Sequence, residues 1–372
     1  VWITQLDIVG WRNHQRSSLA FDRGVNILVG ANGQGKTNIV EAIRYLSTLS
    51  SHRVSGATAL IGDGEHSATV FASLRHSERD VSVGITLKRQ GASDATVSGN
   101  SAKVTEVPRW VSAVMFSPED AAIVRGEPGF RRQFLDELVV SGSPVMAGVY
   151  QDFEKVLKQR NTLLKSLRTQ SRANDAPTLD VWNASFVALG ATIVSERRRH
   201  IQAILPHVEA AYSDLAQGTE VAALYVPKGY DLATGDCSRE EIERALGEAL
   251  VENLPAERER GTSLIGPQRD DVDLSIQGRP ARTHASQGET WSLALALRLG
   301  TAAWLREEKP SGDPIIILDD VFAELDSTRR SRLVGLITDY EQLLLTSAVE
   351  SDIPAELSGT IFDVVDGHVS KR

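Results

Sequence analysis

One eight-residue stretch, Gly30-Ala31-Asn32-Gly33-Gln34-Gly35-Lys36-Thr37, restricts the folds open to this chain more than any other. It lies between an apolar run, Val25-Asn26-Ile27-Leu28-Val29, and Asn38-Ile39-Val40-Glu41-Ala42-Ile43, where apolar residues recur at helical spacing. Strand, glycine-rich turn and helix, with Gly-x-x-x-x-Gly-Lys-Thr at the turn, make up the P-loop pattern. Each residue type has a physical reason to be there. The glycines let successive N–H groups converge into an anion nest at a helix N-terminus. Lys36 is long enough to reach β- and γ-phosphates, and Thr37 offers a hydroxyl to Mg²⁺. The pattern predicts an α/β fold that binds a nucleoside triphosphate along Gly30–Thr37.

Such a loop needs an acid beside it. Pro314-Ile315-Ile316-Ile317-Leu318 reads as a buried strand that delivers Asp319 and Asp320 at its C-terminal end. Asp319 is expected to orient the metal with Thr37, and Asp320 to polarise an attacking water. Lys36, Asp319 and Asp320 are therefore the predicted catalytic group.

The rest of the chain falls into three stretches. Residues 1–29 and 67–98 carry alternating apolar positions and predict strands, with a loop at Trp11-Arg12-Asn13-His14. The P-loop helix is expected over about 36–48, and Ser117-Pro118-Glu119-Asp120 has the composition of a helix start. From about 119 to 257 the period is helical, in three segments. Ala176-Pro177, Pro206 and Pro227 are expected to interrupt it, which argues for a compact insert rather than a long coiled coil. Ser286-Gln287-Gly288-Glu289 opens a mostly apolar helix, and strands are expected at 342–346 and in a final hairpin around Asp366-Gly367.

Ser286-Gln287-Gly288-Glu289 ahead of Asp319-Asp320, with Leu325-Asp326 behind it, is the motif order of ABC-type ATPases. The chain resembles the RecF family of bacterial recombination-repair proteins, in the branch that includes SMC and Rad50 heads. The resemblance rests on Phe21–Ala42, Ser51-His52-Arg53, Phe116–Asp120, Val124–Pro128, Arg131–Asp136, Leu157–Leu164, Gly266–Asp271 and Asp319–Asp326. It implies a mixed-sheet ATPase lobe (1–115 and 310–372) with an inserted, mainly helical lobe (116–309) that ends in the signature motif. It also implies that ATP and Mg²⁺ are bound, and that Arg12, Asn13, Ser286, Gly288 and Asp326 contact nucleotide, Ser286 from a second copy of the chain. ATP would then hold a homodimer together, and weak, DNA-stimulated hydrolysis would release it. The implied partners are double-stranded and gapped DNA, RecR, and RecO and RecA in the same pathway of repair and replication restart.

Two positions depart from the family pattern, and one region departs from that of ABC transporters. Gln268 stands where a His is usual, Thr290 follows Glu289, and Thr346-Ser347 occupies the region where transporters place a switch histidine. A P-loop kinase would leave the signature and Asp326 unexplained, and a transporter subunit would not need so long an insert. The alternative is a non-catalytic nucleotide-switched DNA clamp, or another ABC-type ATPase head.

The net charge of −9 means that any DNA contact must come from a local patch. Lys155, Lys158, Lys165, Arg168 and Arg172 share one helical face, and two readings stand: a phosphate-contacting stripe, or a solvated amphipathic face. Arg131-Arg132 and Arg197-Arg198-Arg199 carry the same ambiguity. A single cysteine, Cys237, and no run of about 20 apolar residues predict a cytoplasmic protein without a membrane span.

Overall fold

The computed structural model describes residues 1–372 except 55, 77–78, 170–175, 217–219, 234, 236 and 309–311. In the first third, β1 (Trp2–Trp11), β2 (His14–Ala20) and β3 (Gly24–Val29) lead into helix α1 (Lys36–Thr48). Then follow β4 (Ser67–His76), β5 (Arg79–Lys88), β6 (Asp94–Val97), β7 (Asn100–Ala102) and β8 (Ala113–Phe116). A helical stretch comes next: α2 (Ala121–Arg125), α3 (Pro128–Gly142), α4 (Met146–Thr169), α5 (Ala176–Ala216), β9 (Val221–Val226) and α6 (Arg239–Arg260). After β10 (Asp271–Ile276), β11 (Arg279–Pro280) and α7 (Ala281–His284), the chain forms α8 (Gln287–Glu308). It closes with β12 (Ile315–Asp319), α9 (Ser327–Ile337), β13 (Gln342–Ser347), β14 (Thr360–Val365) and β15 (His368–Lys371).

The organising layer is a six-stranded sheet in the order β15-β14-β3-β13-β12-β8, parallel apart from β15. Strands β13, β12 and β8 are buried on both faces, as parallel strands require, and side chains alternate between two cores. Leu28, Ile315, Ile317, Leu344, Ala113 and Met115 pack with α1 and an antiparallel sheet ordered β2-β1-β4-β5-β6-β7. Their neighbours Ile27, Ile316, Leu318, Leu343, Leu345 and Phe116 face the other way, into the core built by α3, α5 and α8. One alternating pattern thus joins the antiparallel sheet to the helices.

Two expectations for the helical stretch need correction. Pro206 does not interrupt it: α5 runs 41 residues with Pro206 inside. A proline there forfeits one backbone hydrogen bond. The helix is nevertheless held on both sides of it, because Ile201, Ile204 and Val208 are fully buried. At about 60 Å, α5 is the spine against which α3, α4, α6 and α8 pack. The stretch also contains a small antiparallel sheet, β11-β10-β9, which interrupts the helical period after residue 216. A helical turn does start at Ser117, as expected: Pro118 is its first residue, and Ser117 N–H donates to Asp120 Oδ2 (3.0 Å).

Candidate functional site

The P-loop joins β3 to α1 at the C-terminal edge of the central sheet, where α/β folds place ligands. Gly35 has φ 113°, and a Cβ there would lie 2.6 Å from Nε2 of His14. Both facts demand glycine. Two other turns hold the loop in shape. From the β1–β2 turn, Asn13 Nδ2 donates to Gln34 O (3.1 Å) and buried His14 places Nε2 3.0 Å from Gly35 O. From the β14–β15 turn, Asp366 N donates to Gln34 Oε1 (2.6 Å) and Gly367 N to Gln34 O (3.0 Å). His14 Nδ1 also lies 2.9 Å from Gly367 O, so one buried ring touches both the P-loop and the β14–β15 turn, and burial lowers its pKa. Among the described residues, the N–H groups of Gly33, Gly35, Lys36 and Thr37 have no hydrogen-bond partner, which is the donor set of an anion nest.

Lys36 Nζ donates to Gly30 O (2.6 Å) and Ala31 O (3.1 Å) within the loop. Burial lowers its pKa, while Asp320 and Asp319 oppose the shift. One strand separates β3 from β12, so the acids emerge beside the helix that Lys36 opens. Thr37 Oγ1 donates to Asp319 Oδ1 (3.1 Å), and Thr346 Oγ1 donates to the same oxygen (2.6 Å). Burial pushes Asp319 up to about 6, against those two hydrogen bonds. Asp320 takes the left-handed conformation (φ 56°), and its N–H donates to Thr346 Oγ1 (3.0 Å). Thr346 thus fixes both acids, a role its position in the sequence does not reveal. Glu119, which follows β8, lies close enough to Asp319 to raise its pKa further.

The expected nucleotide residues Arg12 and Asn13 lie next to the loop and the start of α1. Arg12 is committed to a bidentate pair with buried Glu41 of α1 (2.9 and 2.8 Å) and donates to Ala59 O. Asn13 accepts from Asn38 Nδ2 (2.6 Å). Arg53 is exposed and donates to Asn38 Oδ1 (2.9 Å) at the start of α1.

Ser286 caps α8. Its Oγ accepts from Glu289 N (3.3 Å), and its N–H and hydroxyl donate to Glu289 Oε2 (2.8 and 2.7 Å). Among the described residues, no hydrogen bond joins Ser286–Glu289 to Gly30–Thr37. Asp326 caps α9 by accepting from Arg329 N (3.0 Å). Thr290, a departure from the family pattern, back-bonds to Ser286 O (2.8 Å), and Gln268 donates to Ile265 O (2.6 Å).

A buried ionic chain connects the P-loop helix to the signature helix. Arg44 of α1 pairs with Glu137 of α3, which accepts from Arg298 of α8 (3.0 Å), which in turn pairs with Asp120 (2.6 Å). Burial alone would raise Glu137, but the two guanidiniums outweigh it and hold the carboxyl at about 2. His52 lies beside this cluster, both ring nitrogens buried and unpartnered, and burial with Arg44 pushes its pKa down to about 3.

The basic segments divide. Arg131 pairs with Asp271 and Arg197 with Asp136, both guanidiniums buried. Arg160 is enclosed by Glu257, Asn183 and Ser263. Lys155 and Lys158 are exposed on α4, and Lys165 and Arg168 lie further along the same helix. Arg172 lies outside the described residues.

A model described as the RecF/RecN/SMC N terminal domain matches residues 2–357. The DNA replication and repair protein RecF of Streptomyces avermitilis is 43% identical over 376 residues, covering 99% of each chain. A solved structure of the recombination mediator protein RecF with ATP, in the RecFOR pathway, superposes with a TM-score of 0.88 at 26% identity, covering 100% of this chain and 97% of that one. An SMC head bound to the C-winged helix domain of ScpA shares the fold, with a TM-score of 0.54 at 16% identity over 100% of this chain and 97% of the other. The architecture is that of an ABC-type ATPase head.

Proposed function

We propose that this chain, which belongs to the RecF family of DNA replication and repair proteins, is an ATP-gated DNA-binding ATPase that dimerises around its nucleotide. The observation that carries the proposal is the split of one motif set into two surfaces. Lys36, Thr37, Asp319 and Asp320 converge at one sheet edge, whereas Ser286 and Gly288 stand on an exposed helix start bonded only to its own surroundings. In this reading each ATP lies between one copy's P-loop and the other copy's signature turn.

Within one copy, the loop N–H groups bind the phosphates, and Lys36 turns from Gly30 O and Ala31 O to the β- and γ-phosphates. Thr37 and Asp319 offer a hydroxyl and a carboxylate oxygen side by side, a hard donor pair that fits Mg²⁺ completed by phosphate and water. The chemistry such an ion supplies is neutralisation of charge on the β- and γ-phosphate oxygens. In this reading Asp320, whose backbone N–H donates to Thr346, orients and polarises water at the γ-phosphate. It is one methylene shorter than a Glu, so the proposed hydrolysis is slow and serves as a release switch. Without hydrolysis, the same geometry is a nucleotide-switched clamp.

The two lobes of the reading are 1–115 with 310–372, and 116–309. The α4 stripe of Lys155, Lys158, Lys165 and Arg168 is the proposed phosphate-contacting face for double-stranded and gapped DNA. Likeness to a RecF of the RecFOR pathway supports RecR as a partner, with RecO and RecA loading downstream. The test is anisotropy of labelled gapped duplex. ATP is expected to prolong DNA retention relative to ADP, and Lys36→Ala to abolish the difference. Equal retention in ATP, in ADP and in the variant would overturn the gate.

A further inference from the structure

The signature turn carries a charge problem that one residue outside the motif resolves. Two carboxylates stand at this surface: Glu289, which accepts from Ser286, and half-exposed Asp326, which caps the neighbouring helix α9. A triphosphate brought to Ser286 would meet both. Arg329, in the first turn of α9, reaches back across this surface. Its Nη1 donates to Asp326 Oδ2 (2.6 Å), and its guanidinium rests on Gly288. A Cβ built on Gly288 would lie 2.6 Å from Nη2 and 3.1 Å from Cζ, so any side chain there would evict the cation. Its Nε is buried and has no hydrogen-bond partner, which leaves a donor of the fork unused.

The position is electrostatically unfavourable in isolation. A guanidinium near the N-terminal ends of α8 and α9 sits at the positive end of two helix dipoles, where anions rather than cations are stabilised. Asp326 offsets part of this. An arriving phosphate would offset the rest, and the guanidinium would in turn offset Glu289 and Asp326 for the phosphate. Gly288 has a steric role in this arrangement: it keeps the cation within reach of the turn.

We propose that Arg329 is the counter-charge of the signature half-site, contacting the γ-phosphate of the nucleotide held by a second copy of this chain. This rests on the two-copy reading of the site. Arg329 then has no part in how a single copy binds ATP, and acts only when the copies close on it.

The test compares wild type, Arg329→Gln, Arg329→Lys and Arg329→Gln/Asp326→Asn. Binding of a fluorescent ATP analogue to dilute protein is read alongside ATP-dependent dimerisation by sedimentation, each at two salt concentrations. Thermal midpoints confirm folding. One charge-assisted contact is worth roughly tenfold or more, and a twofold dimer has two such sites. Arg329→Gln is therefore expected to weaken ATP-dependent dimerisation by roughly 100-fold, with single-copy ATP affinity unchanged. Arg329→Lys is expected to recover part of the loss. The double variant, with one repelling carboxylate removed, is expected to dimerise better than Arg329→Gln alone, which a packing role would not produce. If wild type dimerises with ATP and Arg329→Gln does so at the same midpoint, the counter-charge role is wrong and the two-copy reading stands. If wild type fails to dimerise with ATP, both fall.

Discussion

The P-loop and the signature turn carry the two halves of one motif set, yet the chain treats them in opposite ways. The loop is braced by two turns far apart in sequence, through Asn13, His14, Asp366 and Gly367. The signature turn is exposed at Ser286 and Gln287, bonded to its own Glu289, and overlain by one arginine. A surface that must grip a phosphate alone needs its donors fixed before the ligand arrives. A surface that only closes on a ligand already gripped needs to be reachable. Between them the buried chain Arg44–Glu137–Arg298 links α1 to α8 by way of α3.

Cutting that link should have the largest effect. Glu137→Ala leaves two buried guanidiniums without their shared carboxylate, and breaking a buried pair in this way costs about 3–5 kcal/mol. A urea titration should show the midpoint falling sharply. An unchanged midpoint would mean that the two halves are held together by apolar packing alone.

Lys36→Ala should then separate the halves functionally. Nucleotide affinity is expected to drop roughly 100-fold as the β- and γ-phosphates lose their cation, read by titration with a fluorescent ATP analogue, while the melting temperature changes little. Ser286→Ala should do the reverse. ATP affinity of the single copy stays the same, and ATP-dependent association weakens roughly tenfold per site. Equal losses of single-copy affinity in both variants would erase the distinction between grip and closure.

A smaller effect reports on the braced side. His52 is held neutral in the folded chain, its pKa about 3 against an ordinary 6.5. The unfolded state therefore gains a proton that the folded state refuses. His52 contributes stability above pH 6.5 that is lost as pH falls from there toward 3, at up to about 1.4 kcal/mol per pH unit. His52→Gln should flatten the slope of unfolding free energy as pH falls below 6.5, by up to one proton. An unaltered slope would show that the ring is protonated in the fold.

The smallest expected effect concerns α4. Replacing Lys155, Lys158 and Lys165 by Gln should weaken DNA binding regardless of sequence, reducing the salt slope by about 0.9 for each phosphate no longer neutralised. An unchanged slope would return that face to solvent.

The P-loop and the acid-bearing strand are legible in the sequence because their patterns are local: a fixed spacing at a turn, and an apolar run before two acids. The bracing is not, because His14 and Gly367 are 353 residues apart and meet only when β14 pairs with β3. Runs of basic residues look alike in sequence, yet Arg160, Arg131 and Arg197 are buried in ion pairs while Lys158 faces solvent. What separates them is a carboxylate supplied by a distant segment. Pro206 misleads for a related reason, since the cost of a helical proline is local but the packing that offsets it comes from other helices. Arg12 carries a nucleotide-contacting expectation, and its pairing with Glu41 in the second turn of α1 is not legible in the sequence.

Grip by one copy and closure by another is tested most directly by sedimentation velocity on wild type and Lys36→Ala, each with ATP, with ADP and without nucleotide. Wild type is expected to shift from monomer to dimer with ATP alone, and Lys36→Ala to remain monomeric throughout. A wild-type species of the same size in all three conditions, or a Lys36→Ala dimer that forms with ATP, would contradict the account.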